Sequence, residues 1–72
     1  AIRVNAVAPG LVDTTMIKTI PTWRVQQYRE HELITTPICP EDVANTVAFL
    51  LSYESRHYTG AIFDLNNGCY FR

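Results

Sequence analysis

Two short runs with strand patterning stand near opposite ends of this 72-residue chain, separated by a long stretch that carries only helix and loop signals. In the first, Ile2, Val4, Ala6 and Ala8 alternate with Arg3, Asn5 and Val7, the period-two pattern of a strand. Low polarity on both faces suits an interior strand of a parallel sheet. The second run, Ala61-Ile62-Phe63-Asp64-Leu65, is closed by the turn residues Asn66-Asn67-Gly68. A strand, a helical crossover and a second strand favour a parallel pair joined in the right-handed sense. The fold class is therefore α/β, in the order strand, helices, strand. Two parallel strands covered by helices on one side leave their other face and both edges open to water. The pattern is incomplete on its own and asks for missing partners.

Composition points the same way. With 47% hydrophobic residues the chain is globular in character, yet 72 residues give only a marginal core. Ala1-Ile2-Arg3-Val4 starts inside a strand, with neither an initiator methionine nor a signal peptide, so the expectation is a piece of a longer protein. The net charge of -1 and six scattered Lys and Arg residues provide no basic face for nucleic acid. The longest apolar block, Val47-Ala48-Phe49-Leu50-Leu51, is far short of the roughly 20 residues of a membrane helix. Cys39 and Cys69 lack the spacing of a disulfide framework, and with His31 and His57 they lack that of a metal site.

Between the strands the signals differ in strength. Pro9-Gly10 stops the first strand: proline removes a ladder donor, and glycine permits close backbone approach. Met16, Ile17, Ile20, Trp23, Val25, Tyr28, Leu33 and Ile34 form no clean stripe, which predicts two short, poorly anchored helices, the second opened by Pro21 and carrying Trp23 through Glu32. After a linker over 35–40, Pro40-Glu41-Asp42 starts the best helix. Proline in the first turn costs no hydrogen bond, and the two carboxylates face the positive end of the helix dipole. Val43, Ala44, Val47, Ala48, Leu50 and Leu51 line one face of it.

These residues also carry a family resemblance. Ile2-Arg3-Val4-Asn5-Ala6-Val7-Ala8-Pro9-Gly10, Thr14, Pro40-Glu41-Asp42-Val43-Ala44, Phe49-Leu50-Leu51-Ser52 and Tyr58-Thr59-Gly60 resemble, in order and spacing, the last third of a short-chain dehydrogenase/reductase. The resemblance implies the C-terminal part of a doubly wound parallel-sheet, Rossmann-like domain that binds NAD or NADP at the carboxyl ends of its strands. It divides the chain into a strand and nicotinamide loop over 1–14, a substrate lid over 15–39, and a helix and last strand over 40–72. It implies cofactor contacts from Pro9, Gly10, Leu11, Val12 and Thr14. A carboxamide offers one acceptor and one donor, which the main-chain N–H and C=O of a single residue can satisfy; Val12 holds that position in the family. Thr14 adds a hydroxyl at a helix start. Met16, Ile17, Trp23 and Tyr28 are candidates to line the substrate pocket or to pack the lid on the body.

The family's reaction needs a tyrosine acid with a lysine four positions on. Tyr28 is followed at that spacing by Glu32, Tyr53 by His57 and Tyr58 by Ile62, and the only lysine is Lys18. The glycines at 10, 60 and 68 make no phosphate-binding turn. No catalytic residue is therefore expected in this segment, which alone should be inactive. The implied partners are the N-terminal part of the same domain, a small alcohol or carbonyl substrate, and further subunits of a cytoplasmic dimer or tetramer contacting 61–65 and the exposed side of 41–52. Two departures, Asn66-Asn67-Gly68 for the usual Asp-Gly-Gly and a short stretch before Pro40, leave the subfamily open. The implied function is an NAD(P)-dependent oxidoreductase. The alternatives are a catalytically inert homologue that binds a dinucleotide or a scaffold partner, and an autonomous interaction module.

Overall fold

The computed structural model describes residues 1–70. Strand β1 (Ala6–Pro9) and strand β2 (Ile62–Leu65) form a two-stranded parallel sheet in the register Ala6 with Ile62 through Pro9 with Leu65. Between them lie a 3₁₀ turn (Thr15–Thr19), helix α1 (Thr22–Glu30), helix α2 (Pro40–Leu51) and a second 3₁₀ turn (Tyr53–Ser55). The expected parallel crossover is present.

The ladder begins later than the alternation in 2–8 suggests, because residues 2–5 meet a partner that is still turning. Gly60 sits at φ 72°, and its N–H donates to the Val4 carbonyl at 2.7 Å. Asn5 replaces the next rungs with its side chain: Nδ2 donates to the Tyr58 carbonyl at 3.0 Å, and Oδ1 accepts from the Ala61 N–H at 3.1 Å. Regular pairing starts only at Ala6, whose N–H donates to the Ala61 carbonyl at 2.9 Å.

Helix α1 also differs from expectation at both ends. Pro21 is its N-cap, and the Pro21 carbonyl accepts the N–H groups of Arg24 and Val25 at 3.0 and 3.2 Å. The helix stops at Glu30 instead of Glu32, because the N–H groups of Leu33 and Ile34 donate to the Asn67 carbonyl at 2.7 and 3.1 Å. A tertiary acceptor thus draws these residues away from the helix. The preceding element is a 3₁₀ turn whose last residue, Thr19, donates its hydroxyl to the Met16 carbonyl at 2.6 Å.

Helix α2 follows its start signal. Pro40 is its first residue, and the Asp42 carboxylate reaches back to accept the Cys39 N–H at 2.7 Å. Of the six apolar residues on its expected face, Leu50 is buried and Val43 half-buried, while Leu51 is 80% exposed. A two-stranded sheet is too narrow to cover the whole stripe. Among the described residues the buried ones are Ile38, Leu50 and Ser55, and Tyr58 stands edge-on between Phe49 and Phe63 at centroid distances of 5.9 and 5.8 Å. Arg3 joins strand to helix: its guanidinium donates to the carbonyls of Leu50, Ser55 and Tyr58 and to the Ser55 hydroxyl at 2.8–3.3 Å. The molecule is a wedge of 46 × 24 × 17 Å. Among the described residues no helix is long and apolar enough to cross a membrane.

Candidate functional site

The carboxyl end of β1 opens into a loop held at two points. Gly10 donates its N–H to the Leu65 carbonyl at 2.8 Å, so the loop leaves the sheet directly after it. Two residues on, Val12 forms an isolated parallel bridge with Ile38, in which the Asp13 N–H donates to the Ile38 carbonyl at 2.7 Å. Ile38 is 4% exposed, so this second anchor rests on the core.

The bridge geometry decides what Val12 can do. In a parallel pair the residue bonded to both neighbours of its opposite leaves that opposite's own peptide groups pointing away. Here Ile38 takes the first role and Val12 the second. Among the described residues the N–H and C=O of Val12 have no hydrogen-bond partner. One residue therefore presents a donor and an acceptor together, which matches the donor set a primary carboxamide requires. Thr14 follows as the cap of the 3₁₀ turn, with extended backbone and a hydroxyl that makes no capping bond. Pro9 ends β1 and Leu11 is half-buried in the loop.

Gly10 is required for a reason internal to the fold. A Cβ there would stand 2.9 Å from the Asn66 Cβ, 3.0 Å from the Asn66 Cα and 3.1 Å from the Tyr28 hydroxyl. The close approach foreseen for this glycine is to the end of β2 and to α1.

That contact brings α1 onto the loop. Leu11, Ile20, Arg24, Val25 and Tyr28 enclose a cavity of about 260 Å³ with largely apolar walls. Of the four lid candidates only Tyr28 lines it; Met16 and Trp23 are 75% and 68% exposed, and Ile17 is half-buried elsewhere. Ile20, Arg24 and Val25 were not anticipated, although Arg24, Val25 and Tyr28 stand at the i, i+3 and i+4 spacing of one helix face. The Tyr28 phenol is raised above its ordinary pKa by burial first, then by the Cys69 thiol and the Glu32 carboxylate, so it is a neutral hydroxyl at physiological pH.

The segment that follows α1 is fastened by Asn67. Besides accepting from Leu33 and Ile34, Asn67 donates Nδ2 to the Thr36 carbonyl at 2.9 Å and to Glu32 Oε2 at 3.4 Å. It does so at φ 56°, a conformation asparagine tolerates better than most residues. Cys39 and Cys69 are free thiols. Among the described residues no group of three His, Cys, Asp or Glu side chains could hold a metal ion.

Comparison with known proteins covers almost the whole chain. A family model described as enoyl-(acyl carrier protein) reductase matches residues 1–70. The 3-oxoacyl-[acyl-carrier-protein] reductase FabG of Thermotoga maritima is 39% identical over 71 residues, covering 93% of this chain and 27% of that protein. A probable short-chain type dehydrogenase/reductase of Bradyrhizobium diazoefficiens is 40% identical over 68 residues, covering 93% of this chain and 24% of that one. Among solved structures, 4-hydroxyisoleucine dehydrogenase complexed with NADH and succinate superposes with a TM-score of 0.79 at 26% identity, over 94% of this chain and 27% of that one. The chain thus spans about a quarter of the length of each.

Proposed function

Because the chain belongs to the short-chain dehydrogenase/reductase family, we propose that it forms one wall of the active site of an oxidoreductase that uses NAD or NADP to interconvert an alcohol and a carbonyl compound. The observation that carries this reading is the unpaired N–H and C=O of Val12, presented side by side at the carboxyl end of a parallel strand. Ligands of open α/β sheets bind at such strand ends. The NADH in the structurally similar dehydrogenase and the reductase names of the relatives support the same choice.

When bound, the nicotinamide supplies or accepts the hydride. The Val12 N–H donates to the carboxamide oxygen and the Val12 C=O accepts from the carboxamide amine. Thr14 adds its hydroxyl to this site. Such contacts would hold the nicotinamide for hydride transfer, an orienting role without proton transfer. Leu11 and Tyr28 exclude water beside them. The proton is assigned to a group outside this segment, because none of Tyr28, Tyr53 and Tyr58 has a lysine four positions on. The segment alone is therefore inactive. In the complete enzyme the exposed α2 face and β2 are covered by the rest of the domain and by further subunits.

The test is turnover by the complete protein. Reduced NAD or NADP should be oxidised in the presence of small ketones or aldehydes, as followed by loss of reduced-nicotinamide absorbance. Nicotinamide binding without turnover of any carbonyl or alcohol would favour an inert homologue. Absence of binding would remove the cofactor site.

A further inference from the structure

The cavity beside the loop has a composition that its position does not explain. Its walls come from Leu11, Ile20, Val25 and the Tyr28 ring, yet it also takes Arg24. An arginine lines an apolar surface with its stem and keeps its guanidinium at the mouth. Among the described residues that guanidinium has no hydrogen bond or ion pair. Arg3 and Arg56 are committed, the first to three carbonyls and the Ser55 hydroxyl, the second to the Tyr53 ring at 4.1 Å and the Tyr53 carbonyl; Arg29 shares the unpaired state of Arg24 but does not line the cavity.

Helix α1 itself offers no reason for a cation at this place. Arg24 lies in the first turn of α1, where no acidic residue stands. A positive charge there opposes the helix dipole and costs a few tenths of a kcal/mol. A bound anion would reverse that sign. The cavity is also small for a ligand site, below the range of roughly 300–1,000 Å³ usual for drug-sized molecules. It has room for a short apolar body with a charged end.

Resting on the proposed oxidoreductase reading, we infer that Arg24 selects the substrate: a small carbonyl compound bearing an anionic group, whose apolar body fills the space between Leu11 and Tyr28 and whose charge meets the Arg24 guanidinium. A planar guanidinium holds a carboxylate or a phosphate through paired hydrogen bonds. The reacting carbonyl is then placed toward Leu11, the wall that belongs to the Val12 loop. Arg24 is a specificity residue and moves no proton.

The experiment uses the complete protein with its preferred nicotinamide and three probes of similar size: a short oxo acid, the methyl ester of that acid, and a phosphorylated short ketone. The expected result is a kcat/KM for the acid or the phosphate roughly tenfold or more above that for the ester. Whichever anion leads identifies the charged group. In Arg24→Gln the advantage should disappear through a raised KM for the anion, with ester turnover and nicotinamide affinity unchanged, and Arg24→Lys should restore part of it. Equal use of anion and ester by the unaltered protein would overturn the inference, as would an Arg24→Gln variant that loses both in proportion. Failure to turn over any of the three or any other carbonyl, with either nicotinamide, would instead defeat the oxidoreductase reading on which it rests.

Discussion

Arg3 Nη2 donates to the Leu50 carbonyl at 3.0 Å, joining the segment that leads into β1 to the carboxyl end of α2. The same guanidinium serves Ser55, among the described residues the one side chain with no exposed surface. A cation at the end of a helix also complements its dipole. Replacing Arg3 by Met keeps most of the stem and deletes every bond. In the complete protein this should cost about 2–4 kcal/mol, read as a lower urea midpoint with an unchanged slope. A loss under about 0.5 kcal/mol would show the clamp to be dispensable.

Thr14→Ala removes a hydroxyl that the fold does not use, since it makes no capping bond. Stability should therefore hold while nicotinamide affinity falls by about 1 kcal/mol, roughly fivefold in Kd. Titration of the complete protein with reduced cofactor, beside a melting curve, separates the two. An unaltered Kd would take Thr14 out of the site.

Asn67 tests how the proposed lid is fastened. Ala at φ 56° is strained and has no amide to give to Thr36 and Glu32; Gly is relaxed there but equally lacks the amide. Asn67→Ala should destabilise by about 1–2 kcal/mol and Asn67→Gly by less. Both should speed proteolytic cleavage within residues 15–38. If the lid is cut at the original rate in both variants, the side-chain bonds of Asn67 do not hold it.

Tyr28 predicts an effect at alkaline pH. Its phenol is raised above the ordinary value of 10.0 in the folded state, so folding holds a proton that the unfolded chain releases sooner. The resulting contribution is complete below about pH 10 and fades as pH rises through the folded pKa. The melting temperature of the unaltered protein should thus fall more steeply above about pH 10 than that of Tyr28→Phe. Parallel curves for the two would rule out this linkage.

Where a signal was local, the sequence was readable. The alternation around Ala6 and Ala8 and the run 61–65 lead to the parallel pair, and Pro40-Glu41-Asp42 marks the first turn of α2, where Asp42 closes the cap. The left-handed turn at Asn67-Gly68 follows from residue types that accept it. Distant causes left no such mark. Helix α1 ends at Glu30 because a carbonyl far along the chain captures Leu33 and Ile34, and Gly10 is small because Asn66 and Tyr28 press on it. The cavity beside α1 was half legible: Tyr28 stood out as an aromatic, but no residue of α1 is buried, so no stripe pointed to Arg24 and Val25. The unpaired state of Val12 likewise depends on its bridge to Ile38, a pairing without any sequence pattern of its own.

The register of Pro9 with Leu65 has a consequence in time. Gly10 finds its carbonyl partner only on the far strand, so the loop cannot settle until that strand has been made and has crossed back beside β1. Pairings between such distant parts of a chain are slow to form and are completed late. On the proposed function, nicotinamide capture would accordingly be among the last abilities the growing chain acquires, and a molecule holding the cofactor would already have passed its own inspection for correct assembly.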